Sequence, residues 1–186
     1  MKPPGNRGIP GVMNTIRGFT LIELMATLLI AAIIVTFAVP GFRSMVERNR
    51  VAAAVNQLVG GVAFARSAAV TRATPVTLCP STTGTSCNKT VPWQDGWIAF
   101  TDGGTAGKVD GSDEILRVGG KTSGVLFSVS SGFPNGYITL SSQGFVLAGG
   151  GVLNVLNVCP AESSKSGAQI SLSPTGALTS HAYTCP

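Results

Sequence analysis

The chain begins with a polar, basic leader, which is followed by one long apolar run. Residues 1–18 carry three basic side chains, no acidic one, and several prolines and glycines that disfavour a helix. From Phe19 to Val39, 17 of 21 positions are apolar and Glu23 is the only charged residue. A helix of this length would be roughly 32 Å long, enough to cross a hydrocarbon core of about 30 Å. The pattern predicts a membrane-spanning helix over residues 19–39.

Charged residues on either side of the apolar run indicate its orientation. The leader has basic residues without an acid, so the positive-inside tendency places it in the cytoplasm and the rest of the chain outside. Three arginines between residues 43 and 50 follow the run closely and reduce this asymmetry.

An amphipathic pattern follows and predicts a helical segment over residues 40–72. Apolar residues recur at alternating spacings of four and three, as expected of one buried helix face. They are Val51, Val55, Leu58, Val62, Ala65 and Ala69. Gly60 and Gly61 weaken the middle of the helix, at about 1 kcal/mol per glycine relative to alanine. We expect the next domain to pack on this face, because a coiled coil would need more heptads.

After Pro75 the pattern changes to short alternating segments separated by Gly, Pro, Ser, Thr and Asn, which is typical of antiparallel strands. The candidate strands are Val76–Cys79, Trp97–Thr101, Glu114–Val118, Val125–Val129, Tyr137–Ser141, Gly144–Leu147, Val152–Val158, Gln169–Ser173 and Ala177–His181. The predicted class is α+β, with a long N-terminal helix packed on a β-rich head over residues 73–186.

Composition agrees with this organisation. Charged residues make up only 11% of the chain, against roughly 25% in a typical soluble domain, which argues against disorder. The net charge of +5 comes from the leader and residues 40–72, since residues 73–186 hold five basic and six acidic side chains. The basic balance therefore does not indicate a nucleic-acid-binding head.

Glu23 distinguishes the apolar run from an ordinary signal sequence. A secretory signal peptide has an apolar region of about 7–15 residues and a small-residue cleavage site, and no such site occurs here before Pro40. A plain signal anchor would explain the length but not the carboxylate, which costs up to about 2.5–3.5 kcal/mol at the centre of a spanning helix. An acid inside such a helix indicates a function.

Residues 17–23, Arg-Gly-Phe-Thr-Leu-Ile-Glu, resemble the class III signal of type IV prepilins and type II secretion pseudopilins. The similarity covers the basic leader, the glycine, the aromatic residue, the glutamate five residues into the mature chain and the unbroken apolar helix. It implies that a prepilin peptidase cleaves after Gly18 and N-methylates the new amino terminus at Phe19. It also implies that Glu23 pairs with the amino terminus of a neighbouring subunit during assembly, and that Pro40 kinks the helix.

The start of the head resembles the GspH/FimT group, which comprises FimT- and FimU-type minor pilins and the H-type pseudopilin of type II secretion. The similar segments are residues 65–67, 74–79, 93–100 and 114–117. The resemblance implies a type IV pilin-like fold, in which a helical spine carries a two-sheet β head.

Four cysteines, at positions 79, 87, 159 and 185, are consistent with an oxidising compartment. They allow three disulfide pairings. We favour Cys79–Cys87, which closes a turn-rich loop, and Cys159–Cys185, which ties the last strand to the head. A structural zinc site is the alternative, but the sequence has no C-x-x-C pair and no well-spaced histidine. Disulfides are more usual in the minor pilins of the group than in its H-type pseudopilin, which favours a pilus.

Few residues point to a metal site or to catalysis. The acidic, glycine-rich stretch 102–114 could ligate Ca²⁺, but it lacks EF-hand spacing and is more typical of a hairpin loop. Gly107-Lys108 lacks the remaining residues of a phosphate loop. His181 is the only histidine, and we expect it at the surface rather than in a catalytic group. The sequence therefore predicts no enzyme, no metal and no cofactor.

Two features bear on DNA. Trp93 and Trp97 are expected to pack in the head rather than to stack on bases, which would require basic neighbours. Some FimT-type pilins bind DNA through a Gly-Arg-x-Arg run near the C-terminus. Residues 176–179 read Gly-Ala-Leu-Thr here, so both arginines that would bind phosphate are missing. DNA is therefore not expected as the main ligand.

Together these features predict a minor pilin that helps to initiate or cap a type IV pilus. Its expected partners are other major and minor pilins, the prepilin peptidase and, before assembly, the inner membrane, with the head in the periplasm. The alternatives are the H-type pseudopilin of type II secretion and a DNA-uptake pilin.

Overall fold

The computed structural model describes residues 18–129, 136–147, 154–162 and 166–186. Apart from Gly18, the predicted leader over residues 1–18 lies outside the described residues. The chain divides into two compact units, and the boundary falls between Gly41 and Phe42. This boundary lies two residues beyond the predicted end of the apolar run at Val39.

Helix α1 runs without interruption from Leu21 to Arg72. It joins the two segments that the sequence pattern separates, the apolar residues 19–39 and the amphipathic residues 40–72. The helix ends where Ala73 adopts a left-handed conformation with φ of 51°. At this end the Thr74 N–H donates to the Ala69 carbonyl at 3.3 Å, and Pro75 cannot continue the helix.

Within the described residues, eight strands follow α1 and form two antiparallel four-stranded sheets, here called sheet A and sheet B. The strand order is β3-β2-β1-β5 in sheet A and β4-β6-β7-β8 in sheet B. The strands are β1 Val76–Pro80, β2 Trp97–Thr101, β3 Ile115–Gly119, β4 Val125–Val129, β5 Ile138–Leu140, β6 Asn154–Pro160, β7 Ser166–Leu172 and β8 Leu178–Thr184. A short 3₁₀ turn, Trp93–Asp95, precedes β2. The predicted α+β class and the two-sheet head are confirmed.

The predicted strand Gly144–Leu147 is wrong. These residues contribute a single bridge, between Leu140 and Val146. The reason is local, because Gly144, with φ of 82°, closes a turn in which its N–H donates to the Ser141 carbonyl at 2.8 Å. A turn of this kind leaves too few residues for a strand.

The last two strands are longer than the sequence pattern predicts. β7 and β8 pair from Ser166 opposite Thr184 to Leu172 opposite Leu178. The polar residues at their far ends lack the apolar alternation on which the prediction rested. The predicted strand Val152–Val158 starts outside the described residues, which show β6.

The predicted apolar stripe of α1 forms one side of the main core. All six residues of the stripe are at most 6% exposed, and they pack with apolar side chains from both sheets. A second cluster of buried residues lies on the opposite face of sheet A and comprises Cys79, Ile98, Phe100 and Tyr137. Sheet A is thus buried on both faces, which explains why all five residues of β1 are buried.

Gly61 leaves room for the indole of Trp97. A Cβ atom at Gly61 would lie 2.8 Å from Trp97 Cη2 and Cζ2, well inside the 3.5–4.0 Å that carbon atoms prefer. Gly119 abuts the same ring, so that a Cβ there would also overlap it. The glycine that costs helix propensity therefore allows close packing of α1 on sheet A.

The structure contains two disulfides, Cys79–Cys87 and Cys159–Cys185, which is the favoured pairing. Their sequence separations are 8 and 26 residues. The first holds the loop after β1 against sheet A. The second links the end of β6 to the residue that follows β8, so it fixes the C-terminal strand to sheet B.

Candidate assembly site

The N-terminus of α1 is capped by Thr20. The Glu23 N–H donates to Thr20 Oγ1 at 3.2 Å, and the Leu24 N–H donates to the Thr20 carbonyl at 3.1 Å. Thr20 and Glu23 stand at the spacing of a capping box, in which a carboxylate occupies the third helical position. Glu23 thus lies in the first turn of α1, where the helix dipole favours a negative charge.

The other polar side chains of the apolar run satisfy their hydrogen bonds within the helix. Thr27 Oγ1 donates to the Leu24 carbonyl at 2.9 Å, and Thr36 Oγ1 donates to the Ala32 carbonyl at 2.8 Å. Glu23 is the one ionisable side chain between Phe19 and Val39. Among the described residues, no basic group lies within salt-bridge distance of its carboxylate.

The apolar side chains around Glu23 are exposed. Leu21, Ile22, Leu24 and Met25 are each more than half exposed. The segment has a mean hydropathy of 2.5 over an 18-residue window, so its length and composition suit it to cross a membrane. If such helices pack against one another, the carboxylate is buried and requires a charged or hydrogen-bonding partner. An amino group of another chain would meet that requirement.

Gly18 and Phe19 lie just before the helix and are exposed. Phe19 is 81% exposed, and a Cβ atom at Gly18 would have no atom within 4 Å. Both residues that flank the expected cleavage position are therefore exposed in this structure. Pro40 lies within α1, and its proposed role in kinking the helix stays a prediction.

The acidic loop between β2 and β3 uses its carboxylates to hold its own backbone. Asp113 Oδ1 accepts from the Gly103 N–H at 3.0 Å, and Asp113 Oδ2 accepts from the Asp110 N–H at 3.1 Å. Within the described part of the chain there is no group of three or more His, Cys, Asp or Glu residues placed to hold a metal ion. The loop geometry is that of a hydrogen-bonded turn.

Asp102 was predicted only as part of this loop, but the structure places it in the interior, 6% exposed. Its Oδ2 accepts from the Gly107 N–H at 2.8 Å and from the Thr77 hydroxyl. Thr77 is also hydrogen-bonded to Thr139 at 2.6 Å. Asp102 thus joins the loop to β1 and β5. Two threonines among apolar strand residues were the only sequence signal for this network.

The other candidate residues of the head are placed as predicted. Trp93 and Trp97 are buried, at 5% and 3% exposure, so they belong to the core. His181 lies exposed on β8. Gly176 forms the β7–β8 turn with φ of 76°, and Ala177 and Thr179 stand at the two positions where the expected DNA-binding run would have its arginines.

Several basic side chains of the head are already engaged. Lys121 pairs with Asp95 at 2.9 Å. The Lys89 ammonium lies 4.3 Å from the centre of the Tyr137 ring. The Arg117 guanidinium lies 5.3 Å from the ring of Phe64 and 5.9 Å from that of Trp97. These contacts place three cations of the described head beside an acidic or aromatic side chain.

Comparisons with known proteins bear on both units. A family model described as "Type II transport protein GspH" matches residues 54–176. A second model, described as "Prokaryotic N-terminal methylation motif", matches residues 13–39. No curated protein matches the sequence.

Solved structures share the fold. The type IV minor pilin FimU of Pseudomonas aeruginosa (strain PAO1) is similar in two crystal forms. One superposes with a TM-score of 0.56 at 17% identity, covering 76% of this chain and 92% of FimU. The other gives 0.52 at 15% identity, covering 69% and 90%. The minor pseudopilin EpsH from the Type 2 Secretion System of Vibrio cholerae gives 0.48 at 10% identity, covering 72% and 97%. At these identities the FimU likeness concerns the fold alone.

Proposed function

Because the chain belongs to the GspH family of minor pilins and pseudopilins, we propose that it is a minor pilin of a type IV pilus, where it helps to initiate or cap the filament. The chain would act by assembling with other pilins rather than by catalysis.

The environment of Glu23 carries the proposal. Its carboxylate follows Phe19 by four residues and is surrounded by exposed apolar side chains. The threonine hydroxyls of the same segment are already hydrogen-bonded. A neighbouring amino terminus would neutralise the carboxylate when helices pack. Since a buried ion pair is best suited to setting register, Glu23 would fix the axial position of the subunit.

Processing and location follow from the same segment. We propose that the prepilin peptidase cleaves the bond after Gly18 and methylates Phe19. The apolar helix would then anchor the subunit in the inner membrane with the head in the periplasm until assembly. Two disulfides in the head are consistent with an oxidising compartment such as the periplasm.

A role as H-type pseudopilin of type II secretion is the second candidate, because the family model bears the description of that subunit. The disulfides favour the pilus, since they are more usual in the minor pilins of the group. A main role in DNA binding has less support, because the Gly176 turn lacks arginines and several head cations are engaged by other side chains.

Deletion of the gene separates the two systems. Surface pili, counted by electron microscopy, should decrease, while secretion of type II substrates into the medium should stay at the wild-type level. Complementation with the full chain should restore pili. Normal pili together with lost secretion would contradict the pilus assignment and support the H-type pseudopilin.

A gel-shift assay tests DNA binding. The full chain in detergent should not retard double-stranded DNA at micromolar concentration and physiological salt. Salt-sensitive retardation in that range would show a DNA site that the described residues do not explain.

A further inference from the structure

Strand β8 is the sheet edge that the described head leaves open. It belongs to sheet B, and β7 is the only strand of the described part of the chain with which it pairs. Its seven residues, Leu-Thr-Ser-His-Ala-Tyr-Thr, include no proline, lysine or carboxylate. Edge strands of natural proteins are usually short, charged, bulged or covered, because a bare edge pairs with other chains. Among the described residues, none of these devices protects β8.

The remaining three edges are protected. At β4, the Phe127 N–H donates to Gln94 Oε1 at 3.1 Å, so the 3₁₀ turn covers that edge. At β5, the Leu147 N–H donates to the Thr139 carbonyl at 3.0 Å. β3 carries Arg117 and is bulged in its pairing with β2. The open edge at β8 is therefore an exception within this head.

The backbone groups that point outward from β8 belong to its even-numbered residues. The Ser173 N–H donates to the Ala177 carbonyl in the β7–β8 turn. Hydrogen-bonded pairs alternate along an antiparallel ladder. Thr179 and His181 therefore bond to β7, while the N–H and C=O groups of Ser180 and Ala182 face away from the sheet.

An apolar groove lies beside the same residues. It has a volume of about 340 Å³ and runs between the helix face from Arg48 to Asn56 and the inner face of β7 and β8, where Ala168 and Ser180 line it. Val55 and Ala52 supply apolar lining from the helix. A strand added at the edge would place alternate side chains over this groove.

Arg48 gives the groove its charge. It is exposed, and among the described residues that line the groove it is the only ionisable one. Among the described residues, Arg72 and Lys121 form ion pairs with carboxylates, whereas Arg48 forms none. A strand seated here would therefore be favoured by an acidic side chain. A second copy pairing through β8 would supply none, because β8 has no carboxylate.

We propose that β8 and the adjoining groove receive an extended segment of a different, neighbouring pilin subunit. This segment adds a strand to sheet B, places small apolar side chains on the groove and pairs an acidic side chain with Arg48. The inference rests on the proposed assembly function and specifies how the head contacts its partner. Backbone pairing at an edge supplies affinity, and the alternating side chains supply specificity.

Residue-resolved hydrogen exchange of the full mature chain, in detergent and in isolated filaments, tests the added strand. The amides of Ser180 and Ala182 should exchange at least about tenfold more slowly in the filament, whereas those of Thr179 and His181, already bonded to β7, should change little. If the chain assembles without protection at Ser180 and Ala182, the inference is overturned while the proposed function stands. If the chain is absent from filaments, both are overturned.

A matched pair of variants tests the groove. Ser180→Lys places a positive charge beside Arg48, whereas Thr179→Lys makes the same charge change on the other face of β8. Incorporation into filaments should fall at least about tenfold for Ser180→Lys and stay near wild type for Thr179→Lys. Equal incorporation of the two variants would contradict the proposal.

A photo-crosslinker at position 180 identifies the occupant. An adduct through an acid-containing segment of another pilin supports the proposal. An adduct with a second copy of this chain, or no adduct in filaments that contain it, overturns the proposal.

Discussion

Replacement of Gly61 by alanine tests how α1 packs on the head. Helix propensity alone predicts that alanine stabilises the helix by about 1 kcal/mol. The structure predicts that this gain is cancelled or reversed, because the new Cβ would lie 2.8 Å from two ring atoms of Trp97. The ring cannot move away freely, since Gly119 abuts it. Overpacking of this kind costs about 1–3 kcal/mol.

Gly60→Ala is the matched control. Gly60 precedes Gly61 in α1, and a Cβ atom at Gly60 would have no other atom within 4 Å. The Gly60→Ala variant should therefore be stabilised by the full difference in helix propensity, about 1 kcal/mol. The free energies of unfolding of Gly60→Ala and Gly61→Ala should differ by the overpacking cost, about 1–3 kcal/mol. At a urea m value of about 2 kcal/mol/M, the midpoints would differ by roughly 0.5–1.5 M.

Tryptophan fluorescence is a suitable assay. The chain has two tryptophans, both buried in the head, so their emission reports unfolding of the head even when the full mature chain is held in detergent. Equal stabilisation by Gly60→Ala and Gly61→Ala would refute the packing argument. As a further check, Trp97→Phe should cost less stability in the Gly61→Ala background than alone, because the two sites are in contact.

Three further substitutions test other contacts. Thr20→Ala should weaken the first turn of α1 by about 1 kcal/mol, and Thr20→Ser should retain it, as measured by hydrogen exchange in detergent; equal exchange in both variants would exclude a capping role. Cys185→Ser should lower the free energy of unfolding by about 1 kcal/mol more than Cys87→Ser, since it opens the longer loop; the reverse order in urea unfolding would contradict this. Asp102→Ala should cost about 1–3 kcal/mol by leaving the Thr77 hydroxyl and a buried N–H without their acceptor, and an unchanged urea midpoint would show that the network contributes nothing.

Local pattern predicted the elements of the fold well where burial and periodicity agree. The stripe from Val51 to Ala69 is buried as expected, because a helical repeat of apolar residues can bury only one face. The pattern failed at Gly144–Leu147, where a short apolar run directly follows a turn. There, the left-handed conformation of Gly144 decides the backbone path.

The proposed assembly residue, Glu23, could be singled out in the sequence because its signal is local. Glu23 stands out as a carboxylate within an apolar run, and the capping role of Thr20 could have been read from the same spacing. The open edge at β8 could not be predicted from the sequence, because strand order depends on pairing between distant segments. Likewise, Gly61 shows only a propensity cost in sequence, since its neighbour Trp97 is 36 positions away.

The central claim is that Glu23 brings this chain into a filament, and Glu23→Ala tests it most directly. The variant should reach the membrane fraction at the wild-type level, because removing a charge does not hinder insertion. In sheared filaments from cells that make the other pilins, it should be reduced by more than about a hundredfold. Leaving one member of a buried pair without its partner costs about 3–5 kcal/mol, and each 1.4 kcal/mol or so is tenfold. Incorporation of Glu23→Ala at the wild-type level would contradict the account.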